Sequence, residues 1–347
     1  MSVTDFPAIL GKAGAPLSTA DTTDLFDAIF TGRLTEQDII AYLSATADRK
    51  PTVDELVGAV TSMRRHMRSL KAPAGAIDLC GTGGDGLGTL NISTAVSFVV
   101  AGAGVPVAKH GNRSASSRSG AADVLETLGV NISLPPEAAE TVLAEVGVVF
   151  LFAQTYHPAM RYVGGARKQI GRRTIFNLLG PLASPARVTR QLVGVFSSDW
   201  LLPYAQALKA LGSSSATIVH GMDGLDEVSI SGPTQTAMLK ESAITTGQIT
   251  PEDAGLKRSP LAEIQGGDAA HNAAALTRLL DGETGAYRDI VLLNAACALM
   301  VAGRAKDVSS GVSLAAQALD SGAAKTKLQA LVKASNAPAS SSEAVGH

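Results

Sequence analysis

The hydrophobic rhythm of the chain changes near residue 70. Before that point apolar positions recur at helical spacing, as in Ile39, Ile40 and Leu43, and good helix-starting residues precede them. Ser18 stands where a helix over 21–30 begins, and Thr35 opens a second with Asp38 three residues on. Thr52 and Glu55 have capping-box spacing for a third, which ends among Arg64, Arg65, His66 and Arg68, where cations suit the helix dipole. No stretch in this part reads as a strand, so a small all-helical domain over 1–70 is expected. Residues 71–75, rich in Ala, Pro and Gly, look like the way out of it.

From Ala76 short apolar runs alternate with longer amphipathic ones. Strands are expected over 76–80, 106–108, 148–152, 192–196 and 216–219, with helices over 95–103, 121–128, 135–146 and 201–211 between them. Such alternation predicts an α/β domain with a mostly parallel central sheet flanked by helices. Residues 228–250 read as a β-rich excursion, and after 268 the chain is helical again. The Ala/Ser/Pro-rich stretch 336–347 is expected to be a flexible tail.

Composition narrows the partners. The 347 residues are 46% hydrophobic and 4% aromatic, a globular rather than disordered balance, and the formal net charge is −2. That charge argues against nucleic acid as a bulk electrostatic partner, so a polyanion must be held by local geometry. The longest apolar run, 96–108, is broken by glycines and a proline and is too short for a membrane span. The N-terminus has no signal-peptide pattern. Cys80 and Cys297 lie far apart in apolar sequence and read as buried free thiols. A soluble cytoplasmic protein is the expectation.

The chemistry concentrates in four loops. The first is GTGGDGLGTLNIST, Gly81 to Thr94, between a strand and an apolar helix. Free backbone N–H groups at such a glycine-rich turn and helix N-terminus make a phosphate cradle. Gly81, Gly83 and Gly86 also fit the dinucleotide fingerprint, so a nicotinamide-dependent oxidoreductase is a rival. That fold needs an acidic residue at the end of the next strand, where this chain carries Lys109. The second loop, KHGNRSASSRSG (Lys109 to Gly120), offers two cations and many hydroxyls for phosphate. The third, HGMDGLDE (His220 to Glu227), sets Asp226 beside Glu227, with Asp223 a possible third, as hard ligands for Mg²⁺. The fourth, 157–185, is basic, and a single inward arginine there would meet a carboxylate on a second substrate. Its Lys168, Arg172 and Arg173 read as a solvated face.

Taken in order, GTGGDG, NIST, KHGNR, SGAADVLETLG, HPAM, RTIFNLLGPL, HGMDGLDE and VLLNAA resemble the anthranilate phosphoribosyltransferase family, over nearly the whole chain. The resemblance implies the class III phosphoribosyltransferase fold. A helical domain of 1–70, with a returning segment of about 170–190, is hinged to an α/β domain of 74–169 and 191–335 and pairs two copies into a homodimer. It also implies transfer of the phosphoribosyl group of 5-phosphoribosyl 1-pyrophosphate (PRPP) to the amine of anthranilate, with two Mg²⁺ ions. Gly81, Gly84, Asp85, Thr89, Asn91, Ile92, Ser93 and Thr94 then face the pyrophosphate. Lys109, His110, Gly111, Asn112, Arg113, Ser114, Ala115, Ser116 and Ser117 face the phosphoribosyl group. Ser93, Asp226 and Glu227 hold metal, and Gly81, Asn112 and Arg167 meet anthranilate, with Arg167 on its carboxylate. His110, Asn112 and Arg167 are the residues nearest the chemistry, and His110 is a weak alternative as a base. This chain has Ala183-Ser184-Pro185 where the family usually carries Asn. Two relatives in fold remain as alternatives: a pyrimidine nucleoside phosphorylase and a non-enzymatic nucleic-acid binder.

Overall fold

A computed structural model describes residues 11, 14–113 and 118–337. Its first part holds α1 (Thr19–Phe30), α2 (Glu36–Ala47) and α3 (Val53–His66). Ser18, Thr35 and Thr52 each accept a backbone N–H of the first turn, and the last two complete reciprocal capping boxes with Asp38 and Glu55. Glu55 is buried but compensated. Arg49 forks onto it at 2.5 and 2.7 Å, while the Leu17 and Thr52 N–H groups donate to it.

The α/β part follows, with β1 (Ile77–Gly81), α4 (Ile92–Gly102), β2 (Val107–Gly111), α5 (Ala121–Thr127), α6 (Pro136–Val146) and β3 (Val148–Phe152). The chain then leaves the sheet through α7 (Gly164–Ile170) and α8 (Phe176–Leu182), and returns as β4 (Arg190–Gly194), α9 (Leu201–Ala210) and β5 (Ser215–Gly221). The 228–250 excursion contains an antiparallel hairpin, β6 (Thr234–Lys240) and β7 (Ala243–Ile249). Helices α10 (Ala269–Leu280), α11 (Ala286–Val301), α12 (Val308–Asp320) and α13 (Ala323–Ser335) close the chain. Residues 338–347 of the expected tail lie outside the described ones.

The sheet order is β3-β2-β1-β4-β5-β6-β7, parallel through β5 and antiparallel beyond. The strand order reverses between β1 and β4, whose ends pair as Gly81 with Gly194. An open parallel sheet splays its loops apart at such a switch point, leaving a crevice beyond the carboxyl ends of the strands. The glycine loop leaves β1 there.

Two hydrophobic cores result. One packs α4, α6 and α10 to α13 on β1 to β3. The other joins α1 to α3 with α7, α8, α9 and residues of β4, β5 and β6. Phe26 and Phe30 of α1 meet Phe176 of α8 at ring-centroid distances of 5.4 and 6.3 Å, so this segment packs on the helical layer. Among the described residues no helix is long and apolar enough to cross a membrane. Cys80 and Cys297 are free thiols.

Candidate active site

The glycine loop and the carboxylate loop interlock. Gly83 N–H donates to Asp226 Oδ2 at 2.8 Å, and a Cβ on Gly81 would sit 2.6 Å from that oxygen. At Gly194, the neighbour of Gly81 on β4, a Cβ would overlap the Asp226 carbonyl, so only glycine lets the 220–227 loop cross the switch point. Thr82 pins the two strand ends together. Its N–H donates to Gly194 O at 2.9 Å, and its hydroxyl accepts from Phe196 N at 3.1 Å.

Asp223, read as a possible third metal ligand, is spent within its own turn. The hydroxyls of Ser229 and Ser231 and the Leu225 N–H, at 3.2 Å, all donate to it. The turn thereby presents Asp226 and Glu227. Asn294 of α11, within the VLLNAA motif, fixes its far end. Its Oδ1 accepts from Val228 N at 2.9 Å, and its Nδ2 donates to Val228 O at 2.8 Å.

Asp226 and Glu227 keep some accessible surface yet lie deep in the cleft. Among the described residues neither has a cation within salt-bridge reach. Desolvation pushes both carboxyls well above the usual range. Repulsion raises them further, from Asp85 on Asp226 and from Asp226 on Glu227. The Ser93 N–H and the charge of Lys109 oppose this at Glu227 without cancelling it. A divalent cation is the partner such a pair lacks. Asp226, Glu227 and the Ser93 hydroxyl form a hard-oxygen set that fits Mg²⁺. Among the described residues no group of three or more His, Cys, Asp or Glu forms a metal cage alone. Substrate phosphate oxygens would complete the shell.

Lys109 does not reach out of the sheet. It is 3% exposed, and its Nζ donates to Leu79 O at 2.6 Å and to Ser93 Oγ at 3.0 Å. The pleat of β2 turns it inward, beneath the cradle, so it orients the Ser93 hydroxyl and lends charge from below. Arg113 is likewise committed elsewhere, to Asp123 and Glu126 of α5 at 2.6 and 2.5 Å. Asn112 is exposed beside it, and Ser114, Ala115, Ser116 and Ser117 lie outside the described residues.

His110 is placed against its reading as a base. It is 4% exposed, Nδ1 donates to Gly180 O at 3.1 Å, and its ring packs 5.0 Å from the His157 ring. Burial, then the neighbouring His157, push it down to about 3. A ring so resistant to protonation is no general base near neutral pH. His157 is pushed down to about 4 by burial, only partly offset by the nearby Ala183 backbone. Between pH 6.5 and about 4 the unfolded chain takes up a proton that folded His157 refuses, so stability falls as pH falls through that window. We expect His157→Phe to remove roughly 3 kcal/mol of that acid-induced loss. Urea midpoints at about pH 7.5 and about pH 4.5 check it, and an unchanged difference between them would refute it.

Arg167 on α7 is half-buried, with its guanidinium 5.6 Å above the Phe176 ring. Desolvation pulls it below the usual arginine value, and among the described residues it makes no ion pair. The structure brings Gly81, Gly83, Asp85, Ser93, Lys109, Asp226 and Glu227 together, but gives Arg167 no contact with them. The link from the returning segment is Arg173, read from sequence as solvated. It donates to Gly84 O and stacks 4.1 Å over Phe196. No local signal marks it, because the two residues are 89 positions apart in sequence. The 264–272 segment also escaped the sequence reading. It backs the glycine loop through Leu90 N to Ile264 O (2.9 Å) and Gln265 Nε2 to Gly88 O (2.7 Å).

Comparison with known proteins agrees with this architecture. The glycosyl transferase family a/b domain matches residues 74–325, and the helical bundle domain of that family matches 12–67. An anthranilate phosphoribosyltransferase of Rhodopseudomonas palustris (strain BisB18) is 56% identical over 96% of this chain and 99% of its own. The chain belongs to the anthranilate phosphoribosyltransferase family. One from Xanthobacter autotrophicus is 54% identical over 95% of this chain and 97% of its own. Among solved structures, the anthranilate phosphoribosyltransferase of Thermus thermophilus superposes with a TM-score of 0.90 at 40% identity, covering 95% of this chain and 99% of that one. The enzyme from Saccharomyces cerevisiae in complex with PRPP and Mg gives 0.87 at 27% identity, over 96% and 98%. Like its family, the chain is a glycosyltransferase. The phosphoribosyltransferase frame accounts for a carboxylate pair that a dinucleotide site would not need.

Proposed function

We propose that the chain transfers the phosphoribosyl group of PRPP to the amine of anthranilate. The products are N-(5-phosphoribosyl)anthranilate and pyrophosphate, in tryptophan biosynthesis. The observation that carries the mechanism is the desolvated carboxylate pair, with no basic side chain in salt-bridge reach among the described residues, set against a glycine loop and a helix N-terminus at the sheet's switch point. The loop's N–H groups and the Asn91 to Thr94 start of α4 suit the pyrophosphate end. Asp226, Glu227 and the Ser93 hydroxyl would hold Mg²⁺, as two ions in the full reading. When bound, the metal supplies positive charge for the leaving pyrophosphate.

The remaining work is positioning. The ribose C1–O bond to pyrophosphate breaks as the C–N bond forms, and the amine then gives up a proton. An aryl amine carries its own lone pair, so no strong base is required, in keeping with the buried, neutral His110. In this reading Arg167 suits the carboxylate of anthranilate, Asn112 is a second contact for that substrate, and Arg173 holds the glycine loop against the returning segment. Pairing of two copies through the helical domain and a cytoplasmic location rest on the likeness to the family.

The direct test follows anthranilate fluorescence with PRPP and Mg²⁺. Signal loss that requires all three components is the expected result. Thermal stabilisation by NADP, with none by PRPP and Mg²⁺, would sink the proposal.

A further inference from the structure

We propose that Asn272 is a positioning residue that sets which end of the Asn91 side-chain amide faces the substrate's phosphates. The inference rests on the phosphoribosyl-transfer reading above. Asn91 occupies the N-cap position of α4, where an Asn side chain ordinarily accepts a backbone N–H of the first turn. Here it makes no such bond. Its Oδ1 is turned away and accepts instead from Asn272 Nδ2 at 2.8 Å.

The direction of that bond follows from a backbone group. Gly267 N–H, which can only donate, reaches Asn272 Oδ1 at 2.8 Å. The other end of Asn272 must therefore be its NH₂, which needs an acceptor, and so Asn91 must present its oxygen to it. One main-chain donor thus fixes the orientation of two amides in series. Asn272 is 2% exposed and held in α10, whose first turn Asp268 caps, so it has little freedom to turn. The Asn91 main chain is held as well, its carbonyl accepting from Ala95 N at 3.2 Å and Tyr287 Oη at 3.4 Å. Two consequences meet at the cradle. The start of α4 stays uncapped by Asn91, and the Asn91 NH₂, without a partner among the described residues, is left as a donor for phosphate oxygen.

Asn272→Asp tests this isosterically. The carboxylate still accepts from Gly267 N–H, but it can no longer donate to Asn91. The Asn91 amide should flip, bond its NH₂ to the new carboxylate and show its carbonyl to the phosphates. Hydrogen exchange of the ¹⁵N-labelled Asn91 side-chain amide in the ligand-free protein reads the flip, which should slow exchange markedly. Unchanged exchange overturns the inference, whatever the enzyme binds.

The functional arm is KM for PRPP, expected to rise about tenfold or more in Asn272→Asp and only about threefold in Asn272→Ala, with anthranilate KM unmoved. Melting temperatures should rank the other way, since Ala loses both hydrogen bonds and leaves a void. A purely structural role predicts that Ala is the worse of the two in both measurements. In an Asn91→Ala background, Asn272→Asp should change PRPP KM little. An undiminished effect there would assign the loss to through-space charge and overturn the proposal. Failure of the wild-type protein to turn over PRPP, with the exchange change still seen in Asn272→Asp, would refute the functional reading and leave the amide orientation standing.

Discussion

Replacing Asp226 by Asn and Glu227 by Gln together is expected to abolish Mg²⁺-dependent turnover, a loss of about 10³-fold or more. The fold should survive. Asn at 226 can still accept from Gly83 N–H, and Gln at 227 from Ser93 N–H, so the interlock of the two loops is kept. The double variant should in fact melt higher than the metal-free wild type. Two mutually repelling carboxylates without a cation are costly in a cleft that desolvates them, and neutral amides of the same shape remove that cost. Adding Mg²⁺ with pyrophosphate should raise the melting temperature of the wild type and leave the variant unmoved. Steady-state turnover with increasing Mg²⁺ decides the matter. If the variant retained metal-dependent activity, the cation would bind elsewhere.

Arg167→Ala should act on the other substrate. The guanidinium is half-buried over Phe176 and pairs with no carboxylate among the described residues, so its desolvation is offset by the ring face but by no anionic partner. A carboxylate on the incoming ligand would supply it. A charge-assisted hydrogen bond contributes about 1.5–3 kcal/mol, so anthranilate KM should rise roughly ten- to hundredfold while PRPP KM stays nearly constant. Arg167→Lys should recover only part of the loss, because an ammonium lacks the planar fork that matches a carboxylate. Equal rises in both Michaelis constants would instead point to a damaged hinge.

The parts of this site that were legible in the sequence are those written locally. Glycine density between a strand and an apolar helix marks the loop at the switch point, and adjacent Asp226 and Glu227 on a glycine-flanked turn mark the carboxylate pair that meets it. The helical start and the mostly parallel sheet follow from caps and alternation in the same way. What stayed hidden depends on which distant segments meet. Lys109 lies on a strand buried on both faces, so hydrophobicity could not tell which way its side chain points. Arg173 looks solvated until the returning segment is laid beside Gly84, and Asp223 looks like a ligand until Ser229 and Ser231 close on it. Asn272 sits in a stretch with no chemical signature. Its importance comes only from the backbone N–H of Gly267 and the proximity of Asn91.

The aromatic seam of Phe26, Phe30 and Phe176 bears on how the chain is made. Helix α1 can pack on α3 as soon as both are made, but Phe176, the partner of Phe26 and Phe30, is translated about 150 residues later. Their shared core also draws on β4, β5 and β6, which come later still. A helical domain that looks local in sequence is therefore non-local in its contacts. Its core is completed only when the returning segment and the sheet have followed.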